Sequence, residues 1–420
     1  MIMKYTIEPS ILNGEVDVSG AKNSYLRLLA ASLLTDSKLT LHNSPTSILD
    51  GKIHLQMLEE LGKDTQIVDS DTVVVDEAAG IKSELIWEER SIRNTLLILG
   101  ALTTRTGKGS VPLPGGCSIG EGRPYDLHVY LLEQLGAEVR ETDTQLIAEA
   151  PDGLVGNDIH LRIRSTGATE NSILCGTLAE GKTTVWNPHI RPEIMDLISM
   201  LRKMGAKIKV FGQERIEIEG VESLDGCEHT VLPDNLEALT WLVGSAITNG
   251  DVQINNFPFD SLQVPLIFLR ESGAKVFRNG DSAIVRNSTP YPLELSTGPY
   301  PSVNSDMQPI LSVYGSMGDG TSKIVDLRFP GRYEYAEELG KMGLDYEVED
   351  NVLVVDGHET GYSGTDVTAT DLRAGAALSL AACVADGRTT ITNAEEIERG
   401  YDNFVEKFSS LDGGISVQED

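Results

Sequence analysis

The sequence predicts an α/β (α+β) protein of two domains, each built from three copies of a strand-helix-strand-helix-strand-strand unit. Chain length and two interleaved patterns predict it. At 420 residues the chain exceeds what one hydrophobic core usually organises. The first pattern is a helix-like apolar period that ends in glycine and passes into strand-like alternation. It reads MLEELGKD from Met57, LEQLGAEV from Leu132, LRKMGAKI from Leu201, LRESGAKV from Leu269 and LGKMGLDY from Leu339. FSSLDGGI from Phe408 is a degenerate sixth copy. The glycines Gly62, Gly136, Gly205, Gly273, Gly343 and Gly413 recur about 70 residues apart. Each fits a helix C-cap that feeds a strand.

The second pattern reads as a small-residue helix end, a polar turn and a β-branched strand. Clear copies are AASLLTDSKLTL from Ala30, GTLAEGKTTV from Gly176, GSAITNGDVQI from Gly244 and AACVADGRTTI from Ala381. Weaker ones start at Gly100 and Tyr314. Such copies also suit an open solenoid. Helices such as LLILGAL from Leu96 are small and apolar all round, however, which favours burial inside a domain. An even division puts a domain change near residue 230, at the turn-like VLPD from Val231.

Composition excludes several functions. A net charge of −30 repels phosphate backbones and anionic membranes, so neither nucleic acid nor membrane is an expected partner. There is no apolar run long enough to span a bilayer, and the N-terminal MIMKYTIEPSILNG lacks the apolar stretch of a signal peptide. A cytoplasmic protein is expected. Cys117, Cys175, Cys227 and Cys383 are scattered without C-x-x-C spacing, and the seven histidines form no metal-like cluster. Neither a metal nor another cofactor is expected.

The stretch VPLPGGCSIGEGRPYD from Val111 holds Cys117 in a glycine-rich loop with Arg123 close behind. A structural thiol belongs in an apolar run. A thiol beside a fixed cation reads as reactive. Other basic residues also sit next to glycine or small residues at strand-helix junctions: Lys22, Arg93, Arg332, Arg373 and Arg399. Any one alone reads as a solvated charge. Six together suit a ligand carrying phosphate and carboxylate. In YPSVNSDMQP from Tyr300, Asp306 fits either a turn or N-cap residue or a general base.

These motifs together resemble the enolpyruvyl transferases. The resemblance spans essentially the whole chain and rests on GEVDVSGAKN from Gly14, the PGGCSIG loop, RPYDLH from Arg123, STGAT from Ser165, DMQ from Asp306, ATDLR from Ala369 and ERGY from Glu398. Members acting on UDP-N-acetylglucosamine are more similar than the shikimate-pathway synthases, which lack the PGGC loop. The resemblance implies an inside-out α/β barrel of two domains with three βαβαββ units each. One domain is residues 1–21 with 231–420. The other, residues 22–230, carries the Cys117 loop, and the site lies in the cleft between the two. It implies transfer of the enolpyruvyl group of phosphoenolpyruvate to the 3-hydroxyl of a nucleotide sugar, with release of phosphate, in peptidoglycan synthesis.

By the same resemblance, Lys22, Arg93, Arg123, Arg373 and Arg399 hold phosphoenolpyruvate, and Lys22 and Arg399 belong to the catalytic set. Asp306 takes the hydroxyl proton. Cys117 protonates C3 or adds to the substrate, and is a target for fosfomycin-type epoxides. The acceptor meets Asn23, Arg123, Pro124, Asp126, Leu127, Ser165, Thr166, Gly167, Asp306, Arg332 and Asp371.

The chain departs from the family at four places. The loop GEGRP from Gly120 is one residue longer than usual. NSPTSILDGK from Asn43 lacks a usual Lys-Asp pair, leaving Asp50 or Lys52 as substitutes. Ile163 replaces a lysine near the nucleotide diphosphate, with Arg162 and Arg164 beside it. Arg191 stands where an acid is usual, and FPGR from Phe329 replaces an acid-Asn pair before Arg332. Most of these changes fall on the acceptor side. Two alternatives therefore stay open: a paralogue with a different nucleotide or sugar acceptor, and a non-catalytic nucleotide-sugar binder.

Overall fold

The computed structural model describes residues 3–115, 124–358 and 361–419. The chain folds as two compact units, one of Gly20–Leu232 and one of Met1–Ser19 with Pro233–Asp420.

The unit of Gly20–Leu232 contains α1 (Lys22–Ala31), α2 (Leu49–Glu60), α3 (Thr95–Thr106), α4 (Asp126–Gln134), α5 (Thr166–Gly176) and α6 (Pro192–Lys203). The odd-numbered helices are buried along most of their length, α3 with apolar and small residues on every side and α1 and α5 with buried polar side chains such as Lys22, Glu170 and Asn171 among them. The even-numbered ones bury one face. In α6 that face is Ile194, Leu197, Ile198 and Leu201, at the spacing of successive helical turns. Polar side chains link the three buried helices in a ring. Asn94, the N-cap of α3, donates from Nδ2 to the Leu26 carbonyl of α1 at 2.8 Å, and Asn171 Nδ2 of α5 donates to the Leu96 carbonyl of α3 at 3.2 Å. Arg27 of α1 closes the ring on Glu170 of α5 at 2.8 Å. Burial raises the Glu170 carboxyl above its ordinary range, and the Arg27 charge opposes that shift.

The other unit contains α7 (Asn235–Ile247), α8 (Gln263–Glu271), α9 (Gln308–Ser316), α10 (Glu334–Lys341), α11 (Leu372–Cys383), α12 (Glu395–Glu398) and α13 (Phe404–Ser410). Every residue of α7, α9 and α11 is buried, and these three helices pack against one another.

Each unit carries three sheets, five of the six four-stranded and one three-stranded among the described residues. In one copy the chain runs through Glu294–Ser296, α9, Thr321–Val325, α10, Tyr346–Glu349 and Val352–Asp356. Glu294–Ser296 pairs parallel with Thr321–Val325, and the last strands complete the sheet antiparallel. The same parallel pairing joins Glu228–Thr230 to Leu39–His42, Asp158–His160 to Lys182–Trp186, Asn13–Asp17 to Asp251–Asn255, and Asp366–Thr368 to Thr389–Thr392. The sheets remain separate hydrogen-bonded groups among the described residues.

The helix-ending glycines Gly62, Gly136, Gly205, Gly273 and Gly343 all take positive φ, between 90° and 106°. The sixth copy differs from expectation. Its left-handed residue is Asp412, with φ 61°, and not Gly413. A Cβ on Gly413 would meet Phe408 Cδ1 at 2.3 Å, so that glycine serves close packing instead.

The parallel pairs share one further device. Four of them end in an asparagine with φ between 52° and 59°: Asn43, Asn187, Asn256 and Asn393. Each amide donates to the carbonyl just past the neighbouring parallel strand. Asn43 reaches Val231 at 2.9 Å, Asn187 reaches Leu161 at 2.8 Å, Asn256 reaches Val18 at 3.0 Å and Asn393 reaches Ala369 at 2.8 Å. Asparagine suits the position because it tolerates the left-handed region and brings its own donor.

Candidate active site

Four of the six junction cations are buried. Lys22, Arg332, Arg373 and Arg399 are four of the five buried Lys and Arg side chains among the described residues, the fifth being Lys63. Burying a cation is costly unless a carboxylate or a ligand answers it.

On the unit of Met1–Ser19 with Pro233–Asp420, four of the expected residues meet. Asp306 lies in a short 3-10 turn, Ser305–Met307, whose N-cap Asn304 accepts from the Asp306 amide at 3.2 Å. Arg332 Nη1 donates to Asp306 Oδ1 at 2.7 Å, and Arg332 Nη2 lies 3.5 Å from Asp371 Oδ2. Asp371 caps α11, accepting from the Arg373 and Ala374 amides at 2.7 and 2.8 Å. The cap fixes where Arg373 enters the helix.

Arg373 is 2% exposed, and its Nε and Nη1 lack hydrogen-bond partners among the described residues. Its guanidinium carbon lies 5.3 Å from the centre of the Tyr401 ring. Burial pulls its pKa down, but Tyr401, Asp306 and Asp234 outweigh that and leave it raised, so it stays charged. Arg399 ends α12 and pairs with Glu396 one turn back at 2.8 Å. Tyr401 joins the two arginines: it is two residues beyond Arg399 and stacks against Arg373.

On the unit of Gly20–Leu232, Lys22 opens α1 and pairs with Asp50 in the first turn of α2 at 2.6 Å. Of the two residues considered for the missing Lys-Asp pair, Asp50 is the one that meets Lys22, while Lys52 is exposed. Asn23, next to Lys22, is half-buried. Arg93 Nη2 donates to the Pro124 carbonyl at 3.0 Å. Cys117 and Arg123 lie outside the described residues, as do residues 116–122 of the loop around them.

The expected acceptor residues divide. Ser165 caps α5, its hydroxyl accepting from the Ala168 amide at 3.3 Å. Thr166 Oγ1 meets His189 Nδ1 at 2.8 Å, and a Cβ on Gly167 would come 3.0 Å from His128 Nε2. Leu127 turns its side chain into the core, so only its backbone can meet a ligand. Asp126 is exposed and paired with Arg162. Ile163 is 50% exposed, and Arg164 Nε donates to Asn187 Oδ1 at 3.3 Å. Arg191 is occupied by Glu193, at 2.6 and 2.5 Å.

Sequence reading did not single out Asp326, Glu396 or Tyr401. Glu396 was accessible from its i,i+3 spacing to Arg399. Tyr401 closes the ERGY motif but its contact with Arg373 crosses distant segments, and no local pattern marks Asp326. No group of His, Cys, Asp and Glu among the described residues could hold a metal ion, and no helix there is long and apolar enough to cross a membrane.

Buried cations beside carboxylates, on repeated βαβαββ units, suit a protein that handles an anionic substrate. The chain belongs to the EPSP synthase family: the model described as EPSP synthase (3-phosphoshikimate 1-carboxyvinyltransferase) matches residues 7–408. Within that family it is similar to relatives named UDP-N-acetylglucosamine 1-carboxyvinyltransferase. The one from Finegoldia magna is 40% identical over 409 residues, covering 96% of each chain. That from Corynebacterium efficiens is 40% identical over 407 residues, covering 96% of this chain and 95% of its own. Among solved structures, the enolpyruvyl transferase NikO from Streptomyces tendae matches with a TM-score of 0.89 at 27% identity, covering 99% of each chain. EPSP synthase from Acinetobacter baumannii matches with a TM-score of 0.74 at 20% identity, covering 99% of this chain and 100% of that one, a likeness of fold alone.

Proposed function

We propose that the protein transfers the enolpyruvyl group of phosphoenolpyruvate to the 3-hydroxyl of UDP-N-acetylglucosamine, releasing phosphate, as the first committed step of peptidoglycan synthesis. The name shared by relatives that match along nearly their whole length supports the substrate. The observation that carries the chemistry is the Asp306–Arg332–Asp371 cluster beside Arg373, a buried guanidinium with two N–H-bearing nitrogens unpartnered among the described residues. Buried donors without acceptors suit an anion that arrives with the substrate.

In this reading the sugar oxygen adds to C2 of phosphoenolpyruvate while C3 gains a proton. The tetrahedral intermediate then loses a proton from C3 as the C2–O bond to phosphate breaks. Asp306 accepts the hydroxyl proton, and Cys117 supplies the proton to C3. Lys22, Arg93, Arg123, Arg373 and Arg399 hold the phosphate and carboxylate. Asn23, Pro124, Asp126, Leu127, Ser165, Thr166, Gly167, Arg332 and Asp371 serve the acceptor. Both substrates are small metabolites of the cytoplasm, and we place the enzyme there.

A second reading keeps the reaction and changes the acceptor. It is favoured by exposed Ile163 and by the pairing of its neighbour Arg162 with Asp126, which leave the expected diphosphate contact altered. Phosphate release from phosphoenolpyruvate decides between them, with UDP-N-acetylglucosamine in one reaction and UMP, UDP and other nucleotide sugars in parallel. Turnover with UDP-N-acetylglucosamine is expected. Turnover only with another acceptor would reassign the substrate. No turnover with any would leave a binding protein.

A further inference from the structure

The strand end at Asp326 departs from its counterparts. Asn43, Asn187, Asn256 and Asn393 each follow the second strand of a parallel pair and donate to a carbonyl beyond the first. Asp326 follows Thr321–Val325 at the corresponding point, beside Thr297, which follows Glu294–Ser296. Here the polarity is reversed: Asp326 Oδ1 accepts from Thr297 Oγ1 at 2.7 Å. It also accepts from the Arg328 and Phe329 amides at 2.8 and 2.9 Å, while Oδ2 accepts from Ser305 Oγ at 2.5 Å and Gln308 Nε2 at 2.6 Å. The residue is 0% exposed, and none of these five donors is a cation.

Four of these five contacts lead to Arg332. Ser305, held through its own proton by Asp326, accepts from Arg332 Nη1 at 3.2 Å. Gln308 uses its amide for both Asp326 and the Arg332 carbonyl, the latter at 3.2 Å. The amides of Arg328 and Phe329 start the loop that ends at Arg332. Tyr333 fastens that loop from its far end, its hydroxyl accepting from the Asp326 amide at 2.9 Å. Arg332 Nη1 in turn meets Asp306.

We propose that Asp326 is a positioning residue for the transfer reaction: through Ser305, Gln308 and the 326–332 loop it fixes Arg332 against Asp306. The inference rests on the reading of Asp306 as general base. The strand end that asparagine closes elsewhere for stability carries a carboxylate here because only an acceptor on both oxygens can gather these donors. Asparagine would turn one oxygen into an NH2 facing a donor.

The test is phosphate release by the full chain carrying Asp326→Asn, Asp326→Glu or Ser305→Ala, beside wild type, each with a thermal melt and with KM measured for both substrates. A base displaced by a fraction of an ångström costs turnover, so Asp326→Asn is expected to lower kcat about 100-fold with KM nearly unchanged. Asp326→Glu, which keeps both acceptors, recovers part of the loss. Ser305→Ala, which removes only the relay hydroxyl, lowers kcat about tenfold. An unchanged kcat with a lowered melting temperature would show a purely structural carboxylate and overturn the proposal. So would a rise in KM at constant kcat. If Asp326→Asn does not fold, Ser305→Ala decides alone by the same criteria. Wild type inactive on every acceptor is a separate failure: it removes the base itself, whatever the variant ratios.

Discussion

The strand ends at Asn393 and Asp326 occupy matching places in two copies of the same unit, yet their side chains do opposite things. Asn393 sits at φ 59° and donates once, to the Ala369 carbonyl. Asp326 gathers donors from three segments and reaches the loop of Arg332. The scaffold repeats because each copy must close the same parallel pair. It departs from the repeat where a side chain must be aimed. In a protein of repeated units, the copy that breaks the pattern is the place to look for function.

Four measurements sharpen or break that comparison. The largest effect is expected at Asp306, beside the divergent strand end. Asp306→Ala should lower turnover by about 10²–10⁴-fold, the usual range for losing a general base. Normal turnover would end the base assignment. Next, Arg373→Lys removes the planar fork but keeps the charge. With a substrate anion as its partner, kcat/KM for phosphoenolpyruvate should fall roughly tenfold or more, and an unchanged KM would place the anion elsewhere.

The third measurement sets the pH range in which such comparisons hold. His54 is fully buried, takes the Asn94 amide at Nδ1, and is pushed by burial, with Arg27 adding, from 6.5 down to about 3. Its neutral form is the folded one. The unfolded chain therefore binds the extra proton between these values, and stability is full above about pH 6.5 and falls as pH drops. By pH 5 the loss from this residue is about 2 kcal/mol. A His54→Gln variant should show a shallower acid limb in denaturant titrations; identical limbs would mean His54 is already charged.

The smallest effect is at the ordinary strand end. Asn393→Ala loses the amide bond and places a Cβ-bearing residue without a local partner at positive φ. A cost of about 1–3 kcal/mol is expected in the melt, with kcat of the folded enzyme unchanged. A kcat loss matching that of Asp326→Asn would erase the distinction between the two strand ends.

Much of the fold was legible because its signals are local. The helix-ending glycines take positive φ for reasons written in their own neighbourhoods, and only the degenerate copy at Asp412 and Gly413 shifts the left-handed residue by one. The all-round apolar helices could be recognised from composition alone. The candidate site was legible in part. Junction spacing singled out Lys22, Arg332, Arg373 and Arg399, whose burial the sequence could not show. Asp50 and Lys52 were the two residues considered for the missing Lys-Asp pair, and only the fold shows that Asp50 meets Lys22.

The sequence by itself determined the units, their number and the kinds of charge at their junctions, because helix period, strand alternation and cap chemistry act over a few residues. Tertiary structure alone decided which charges are paired. Lys22 is answered by Asp50 and Arg332 by Asp306 and Asp371, whereas Arg373 keeps Nε and Nη1 without partners among the described residues. Pairing depends on distances between segments tens of residues apart, and the energy of a buried charge depends on those distances and on burial together.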